Sequence, residues 1–221
     1  MGLEEAIELI RTGIQGLSGS WADIGAGTGM FTRALAEILS EEQFGRIEER
    51  GNGGNGRLRP SSVAGGHSLW RRATAKGGNP PSLSYGGRSK GKIYAVDKSP
   101  HALWELKSTS NVEIIVVEAD FNEPLELPPM DGIVMANALH YAEDHLIVLK
   151  NVLRCLKPGG TFILVEYETE KPRPPWVPHP VPFKRFETLC TQAHLNMPEM
   201  IGKHESQYGY EHIYAAMTTK I

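Results

Sequence analysis

Apolar residues follow two patterns along this chain, one with the spacing of a helix and one in short unbroken runs. The helical spacing is clear near the start, where Ile7, Ile10 and Ile14 fall on one face of a helix over residues 3 to about 15. The same spacing predicts further helices over residues 28–39, 99–108, 143–157 and 183–194.

The unbroken runs predict strands. "IIVV", "IVMA" and "FILV" contain no polar residue, and such runs are typical of parallel strands that helices cover on both faces. "SWADIGA" and "KIYAVD" add two more strands. Two weaker strands, near residues 199–206 and 210–220, alternate more and could form an antiparallel edge. We therefore predict an α/β fold with one doubly wound, mostly parallel sheet.

Residues 43–91 interrupt this alternation. They hold 12 of the 24 glycines, nine basic residues and two acidic ones, and they show no period. A Gly/Arg-rich segment of this kind buries too little apolar surface to offset the entropy of ordering it. We predict a disordered insertion within a single domain spanning residues 1–221. Its basic charge could contact RNA or an acidic partner, although a tolerated insertion in a surface loop is the simpler interpretation.

Composition and charge argue against only a few classes of function. The net charge of −3 gives no general reason to expect nucleic acid as a partner. No apolar run approaches the roughly 20 residues of a membrane span, and the N-terminal residues do not have the pattern of a secretory signal. Cys155 and Cys190 fall in apolar patterns, which predicts buried thiols in a reducing compartment. We expect a cytoplasmic protein without a metal site.

The first strand ends in a turn that points to a nucleotide ligand. Gly25, Gly27 and Gly29 form a G-x-G-x-G pattern, which lets the backbone pass close under a ligand beside a helix N-terminus. The dinucleotide fingerprint needs glycine where Met30 stands. Asp23, just before the turn, disfavours a pyrophosphate and favours a ligand with an ammonium group.

The ends of the next strands supply further polar groups. Asp97 lies 72 positions after Gly25, and removing the insertion reduces that gap to about 25, which suits an acid that accepts hydrogen bonds from ribose hydroxyls. Asp120 can accept a hydrogen bond from an adenine amino group, and Phe121 can lie on the ring. Asn137 ends the fourth strand, facing the glycine turn across the crevice.

These motifs carry a family resemblance. "DIGAGTG", "YAVDKSPHAL", "EADFNEPL", "DGIVMANALHY" and "LKPGGTFILVEYE" occur in this order, and together they resemble class I S-adenosylmethionine-dependent methyltransferases of the small single-domain type. The resemblance covers residues 3–42 and 92–217. It implies a Rossmann-like sheet of seven strands in the order 3-2-1-4-5-7-6, with the seventh antiparallel. It also implies methyltransferase activity (EC 2.1.1.-) with S-adenosyl-L-methionine as cofactor.

The resemblance also implies roles by position. The glycine turn would pass beside the methionine part of the cofactor, Asp23 would lie near its amino end, and Asp97 would hold the ribose. The cofactor-binding residues so implied are Asp23, Gly25, Gly27, Gly29, Asp97, Lys98, Asp120, Phe121 and Asn137.

The methyl acceptor is less clear from sequence. Methyl transfer is an in-line displacement that mainly requires alignment, and a base is needed only for a protonated nucleophile. His140 is the candidate base or substrate contact, although it could equally be a packing histidine beside the cofactor. The other candidate substrate contacts are Tyr141, Tyr167 and Trp176, with Glu166 also facing the crevice. No Asn-Pro-Pro-Tyr-like signature follows the fourth strand, which favours a small-molecule substrate.

Two alternatives stay open. A nicotinamide-dependent oxidoreductase could use a related sheet, although Met30 and the acidic "EADF" element count against it. A cofactor-binding or degenerate protein without activity is the other. The identity of the acceptor and the oligomeric state do not follow from these residues.

Overall fold

The computed structural model describes residues 1–14, 19–51, 91–206 and 212–221. Helix α2 runs to Gly51 and strand β2 begins at Gly91. The first nine residues of the predicted insertion, 43–51, therefore continue a helix, and Gly91 belongs to a strand. The remaining residues of that insertion, 52–90, lie outside the described residues.

Seven strands form one sheet in the order β3-β2-β1-β4-β5-β7-β6. The neighbours from β3 to β5 pair in parallel, whereas β7 is antiparallel to both β5 and β6. This confirms the predicted α/β fold and strand order. The strands are β1 (Ser20–Ile24), β2 (Gly91–Asp97), β3 (Val112–Glu118), β4 (Met130–Ala136), β5 (Leu156–Tyr167), β6 (Glu199–Glu205) and β7 (His212–Thr219).

Helices cover the two faces of this sheet. They are α1 (Leu3–Arg11), α2 (Met30–Gly51), α3 (His145–Leu153) and α4 (Phe183–Gln192). Trp21 of β1 packs with residues of α1 and α2 such as Ile10 and Leu35, whereas its neighbour Ala22 belongs to the cluster of α3 and α4. Successive strand residues therefore enter opposite cores, which explains why the strand sequences are apolar without alternation.

The helix predicted over residues 99–108 is wrong in type. The structure has a short 3-10 helix over Pro100–Glu105, and Ser99 does not cap it with its side chain. The polar residues that follow explain the early end. Thr109 and Ser108 accept hydrogen bonds from the backbone N–H groups of Val112 (3.0 Å) and Ile114 (2.8 Å), so their side chains direct the chain into β3 instead of extending the helix.

Other helix bounds also differ from the predictions. The first helix ends at Arg11, and the last ends at Gln192. α3 begins after Asp144, whose carboxylate accepts hydrogen bonds from two backbone N–H groups at 3.0 Å, and it ends at Leu153. The "KPGG" stretch predicted to stop the helix belongs to β5 instead, with Gly159 at a φ of 73°.

Both cysteines are buried and free, as predicted. Burial raises the pKa of the Cys190 thiol to about 12, so this side chain behaves as a packing residue. Within the described ranges, no helix is long and apolar enough to span a membrane.

Candidate functional site

The carboxyl ends of β1, β2, β3 and β4 open onto a cavity of about 470 Å³. We call it the glycine-turn cavity, because the turn after β1 forms one wall. Its lining includes Gly25, Gly27, Met30, Asp97, Lys98, Phe121, Asn137, Tyr141 and Tyr167. Most of the residues predicted to bind the cofactor therefore lie around one space.

Position 25 requires glycine because the turn after β1 passes very close to the chain at the end of β4. Its φ is +73°, and an added Cβ would lie 2.6 Å from the Cβ of Ala138. Its backbone N–H donates to the carbonyl of Val96 at 2.8 Å. A side chain here would push apart the turn and the end of β4.

The other two glycines have different roles. Gly27 has a φ of +55°. A Cβ added to Gly27 would meet no side chain within 4 Å, so the space beside this residue is open. Gly29 has a φ of +78°, and an added Cβ would lie 2.7 Å from Leu106. Gly29 is not among the residues lining the cavity. It allows the turn to pack against the chain after β2.

Asp97 ties the ends of β1 and β2 together. One carboxylate oxygen accepts a hydrogen bond from the N–H of Gly27 at 2.8 Å, and the other accepts one from the N–H of Ser99 at 2.8 Å. A carboxylate has about four lone-pair directions. Asp97 can therefore still accept two hydroxyl hydrogen bonds from a ligand in the cavity.

Asp23 lies behind the glycine turn and is not among the cavity's lining residues. It is 1% exposed, and its Oδ2 accepts the hydroxyl of Thr32 at 2.6 Å. Burial raises the pKa of Asp23 to about 6, although the hydrogen bonds from Thr32 lower it. The charge of Asp23 can therefore act on a ligand only across the glycine turn, without direct contact.

The two residues after β3 are placed differently. Phe121 lines the cavity, and its ring lies 3.4 Å from where a Cβ on Gly25 would stand. Asp120 is not part of the lining. Its Oδ1 accepts two hydrogen bonds from Asn122, one from the backbone at 2.9 Å and one from the side-chain amide at 2.7 Å.

Asn137 holds an unusual conformation between β4 and the following turn. Its φ is +49°, in the left-handed region that few non-glycine residues adopt. Its N–H donates to Val165 at 2.8 Å. Its side-chain Oδ1 is buried and has no hydrogen-bond partner within the described part of the chain. Because Asn137 lines the cavity, that oxygen is available to a ligand.

A second cavity of about 600 Å³ adjoins the first and shares Asn137, Tyr141 and Tyr167 with it. We call it the histidine cavity. Its other lining residues are His140, Arg173, Trp176, Val177 and Ser206. All the residues predicted to contact substrate therefore line this second space.

A buried pair of side chains, His140 and Glu166, lies at the wall of the histidine cavity. Each is about 1% exposed, and His140 Nδ1 is 2.6 Å from Glu166 Oε2. The backbone N–H of His140 also donates to Glu166 Oε1 at 3.1 Å. An ionised carboxylate only accepts hydrogen bonds, so Nδ1 donates its proton to Glu166 in this pair. Nε2 is buried and has no partner among the residues that the structure describes.

Sequence reasoning placed Glu166 at the crevice but did not predict this pair. The available signal was an acidic residue directly after the apolar run "FILV" of β5. Since an ionised residue in the buried part of a strand needs a partner, its nearest candidate was the histidine after the neighbouring strand, β4. β4 and β5 pair in parallel with Ala136 opposite Val165, which brings the two residues together.

Residues 168–182 cross the histidine cavity, and we call this segment the strap. Its His179 N–H donates to the carbonyl of His140 at 3.0 Å, and its His179 carbonyl lies 3.1 Å from His145 Nε2. Tyr214 donates to the Val181 carbonyl at 2.7 Å. Burial lowers the pKa of His145, which favours the neutral ring that holds the strap.

Within the described ranges, no group of three or more histidine, cysteine or acidic residues is arranged to hold a metal ion. The site contains a buried imidazole–carboxylate pair beside a cavity built from strand ends.

Residues 74–164 match a family model described as a methyltransferase domain. The match begins at residue 74, within the 52–90 stretch that lies outside the described residues, and it does not include the glycine turn. A search of curated protein sequences finds no match.

Solved structures share the fold at low identity. Human N-acetylserotonin methyltransferase, in complex with S-adenosylmethionine, matches with a TM-score of 0.56 and 14% identity over 99% of this chain and 51% of that one. The 1,6-didemethyltoxoflavin-N1-methyltransferase of Burkholderia thailandensis, with its substrate and S-adenosylhomocysteine bound, gives 0.57 and 14% over 99% and 78%. The N-methyltransferase NodS of Bradyrhizobium japonicum, with S-adenosylhomocysteine, gives 0.56 and 16% over 98% and 86%. This chain spans about half the length of the human enzyme.

Proposed function

We propose that this chain is an S-adenosylmethionine-dependent methyltransferase, which binds S-adenosylmethionine in the glycine-turn cavity and methylates a small molecule in the histidine cavity. The match of residues 74–164 to a methyltransferase-domain model and the fold shared with solved methyltransferases support this proposal. The observation that carries this proposal is the adjacency of the two cavities, which share Asn137, Tyr141 and Tyr167. A donor and an acceptor bound in them would meet at that shared wall, as an in-line transfer requires.

The lining of the glycine-turn cavity fits this cofactor. Gly25 and Gly27 bring backbone close to the ligand beside the N-terminus of α2, which favours a carboxylate. Asp97 keeps lone pairs for two ribose hydroxyls, and Phe121 offers a ring for adenine. The unpartnered Oδ1 of Asn137 is an acceptor for an ammonium group. When bound, the cofactor would supply an electrophilic methyl group on a sulfonium.

The competing oxidoreductase interpretation fits these residues less well. Met30 stands where the dinucleotide fingerprint has its third glycine, and its side chain lines the cavity. Asp23, with a pKa of about 6, is mostly ionised at neutral pH behind the turn that a pyrophosphate would occupy. That charge disfavours an anionic ligand and favours a cationic one.

His140 is proposed as the general base, held by Glu166. The carboxylate fixes the ring with Nδ1 protonated, so Nε2, which is buried at the wall of the histidine cavity, is the nitrogen that would accept the substrate's proton. A positioned imidazole is a common general base, and the buried Glu166 carboxylate stabilises the imidazolium that forms. The base is useful for a hydroxyl or another protonated nucleophile, which favours such an acceptor.

Two measurements test the proposal. Calorimetry should show that the full chain binds S-adenosylmethionine and S-adenosylhomocysteine and not NADH; tighter binding of NADH would contradict it. Radiolabelled S-adenosylmethionine, incubated with a panel of small hydroxylated compounds, should then yield a labelled product. His140→Ala should keep cofactor affinity and lose transfer, and a fully active His140→Ala protein would remove the base from the mechanism.

A further inference from the structure

Aromatic rings surround the buried base in the histidine cavity. The ring of Tyr141 lies 4.3 Å from the His140 ring, centroid to centroid, and the ring of Tyr167 lies 5.9 Å away. Trp176 lines the same cavity from the strap. Aromatic side chains therefore form much of the wall beside His140, and aromatic rings interact favourably with another flat ring.

Trp176 combines an exposed side chain with a backbone that hydrogen bonds hold in place. Its side chain is 75% exposed, so packing within the chain does not hold it in place. Its backbone is fixed, because Arg173 and Val177 exchange hydrogen bonds at 2.8 and 2.9 Å across a tight turn, and Trp176 N–H donates to Arg173 at 2.9 Å. A large ring held in the open at a cavity mouth is typical of a side chain that a ligand covers.

The acidity of the acceptor points the same way. A neutral imidazole removes a proton far more readily from a phenol, whose pKa is about 10 as in tyrosine, than from an aliphatic hydroxyl, whose pKa is near that of water at about 16. A phenolic oxygen can therefore give up its proton to His140 Nε2 more readily than an aliphatic alcohol can.

We propose that the histidine cavity binds a flat aromatic compound and that its phenolic hydroxyl is the methyl acceptor. This inference rests on the proposed function. Tyr141, Tyr167 and Trp176 contact the faces of the ring, and Trp176 determines the preference for aromatic over saturated substrates.

The step balances as follows. The hydroxyl proton passes to His140 Nε2, and the oxygen lone pair forms the new bond to the methyl carbon. The bond between that carbon and sulfur breaks, with its electron pair going to sulfur. The products are an aryl methyl ether, S-adenosylhomocysteine and an imidazolium held by Glu166, which later loses its proton to solvent.

The experiment uses two probes with the same carbon skeleton, 2-naphthol and decahydro-2-naphthol. Calorimetry on the full chain saturated with S-adenosylhomocysteine should show about tenfold tighter binding of 2-naphthol. Apolar burial alone would favour the saturated probe, so the sign of the preference is informative. Trp176→Ala should reduce 2-naphthol affinity about tenfold. The matched control is Trp104→Ala, which removes a 61% exposed tryptophan outside both cavities and should leave the affinity unchanged.

The outcomes separate the two proposals. Equal or tighter binding of decahydro-2-naphthol, or unchanged affinity in Trp176→Ala, would overturn the aromatic preference while leaving S-adenosylmethionine binding to support the proposed function. Preferred binding of 2-naphthol by a chain that binds no S-adenosylmethionine would support the aromatic cavity and overturn the proposed function. Formation of 2-methoxynaphthalene by wild type, detected by mass spectrometry and lost in His140→Ala, would support both.

Discussion

A neutral isostere of Asp23 should make the protein more stable at neutral pH. The Asp23 carboxyl is 1% exposed, and its pKa is about 6 in the folded protein against 3.8 as the ordinary value. Because the folded state binds this proton more tightly than the unfolded state, folding stability is lost as pH rises between those two values. Two pKa units correspond to about 3 kcal/mol. Asp23→Asn keeps an oxygen that can accept the Thr32 hydroxyl and removes the buried charge.

Urea denaturation from about pH 4 to about pH 8 measures this effect. The free energy of unfolding of Asp23→Asn, minus that of wild type, should be near zero at the acidic end and rise to about 3 kcal/mol above pH 7. A difference that stays constant with pH, or a wild type that is more stable at pH 8, would refute the reasoning. Either result would mean that the charge is stabilised by something other than the Thr32 hydrogen bonds.

Asp131→Asn is a control with the opposite sign. Partial burial raises the pKa of Asp131, but hydrogen bonds from Lys157 at 2.6 Å and from the Ser20 N–H at 2.8 Å outweigh it and lower the pKa overall. A carboxyl with a lowered folded-state pKa stabilises above its ordinary pKa, and this stabilisation is lost as pH falls. Asp131→Asn should therefore be less stable than wild type at pH 7, with the difference disappearing under acidic conditions.

Three further predictions concern the site. Asp97→Ala should weaken S-adenosylmethionine binding, measured by calorimetry, by ~1–3 kcal/mol, the scale of lost hydrogen bonds to a charged group. Asp120→Ala should cost less, because Asp120 does not line the cavity. Equal losses would contradict the placement of Asp120 outside the cavity. Glu166→Gln should lower kcat about 100-fold with little change in cofactor affinity. An unchanged kcat in steady-state assays would show that Glu166 does not orient His140 for proton removal. Gly25→Ala should abolish cofactor binding, since its Cβ would clash with the end of β4, whereas Gly29→Ala should reduce the melting temperature and retain affinity in the fraction that stays folded.

The sheet was predictable because its information is local. The unbroken apolar runs in β4 and β5 lie in buried strand segments, whereas "IIVV" in the edge strand β3 is only partly buried. In each strand, the residue at the carboxyl end follows directly from where the run stops. The 3-10 helix after β2 was not predictable in this way. Its sequence has a helix-like start at Pro100, and only the hydrogen bonds of Ser108 and Thr109 to β3 decide the outcome, which depends on how two strands pair.

Sequence patterns predicted which residues lie near one another in the site, but they did not predict which of those residues make contact. Three glycines at regular spacing look equivalent in sequence, yet Gly29 packs against Leu106 while Gly27 faces open space, because the turn twists between them. The pairing of His140 with Glu166 depends on the register of two strands separated by a helix. Periodicity does not determine that register; the fit of side chains across the sheet does.

The position of β7 has a consequence for how the protein is made. β7 is inserted between β5 and β6, and Tyr214 pairs with Glu166 across the β5–β7 ladder. During synthesis, β5 therefore leaves the ribosome with an open hydrogen-bonding edge that persists until residues 212–219 emerge. The proposed catalytic pair is complete in its sheet only after that late strand closes the edge. A nascent chain stalled before β7 would present this open edge to other nascent chains, because an unpaired strand edge is a template for pairing with another chain.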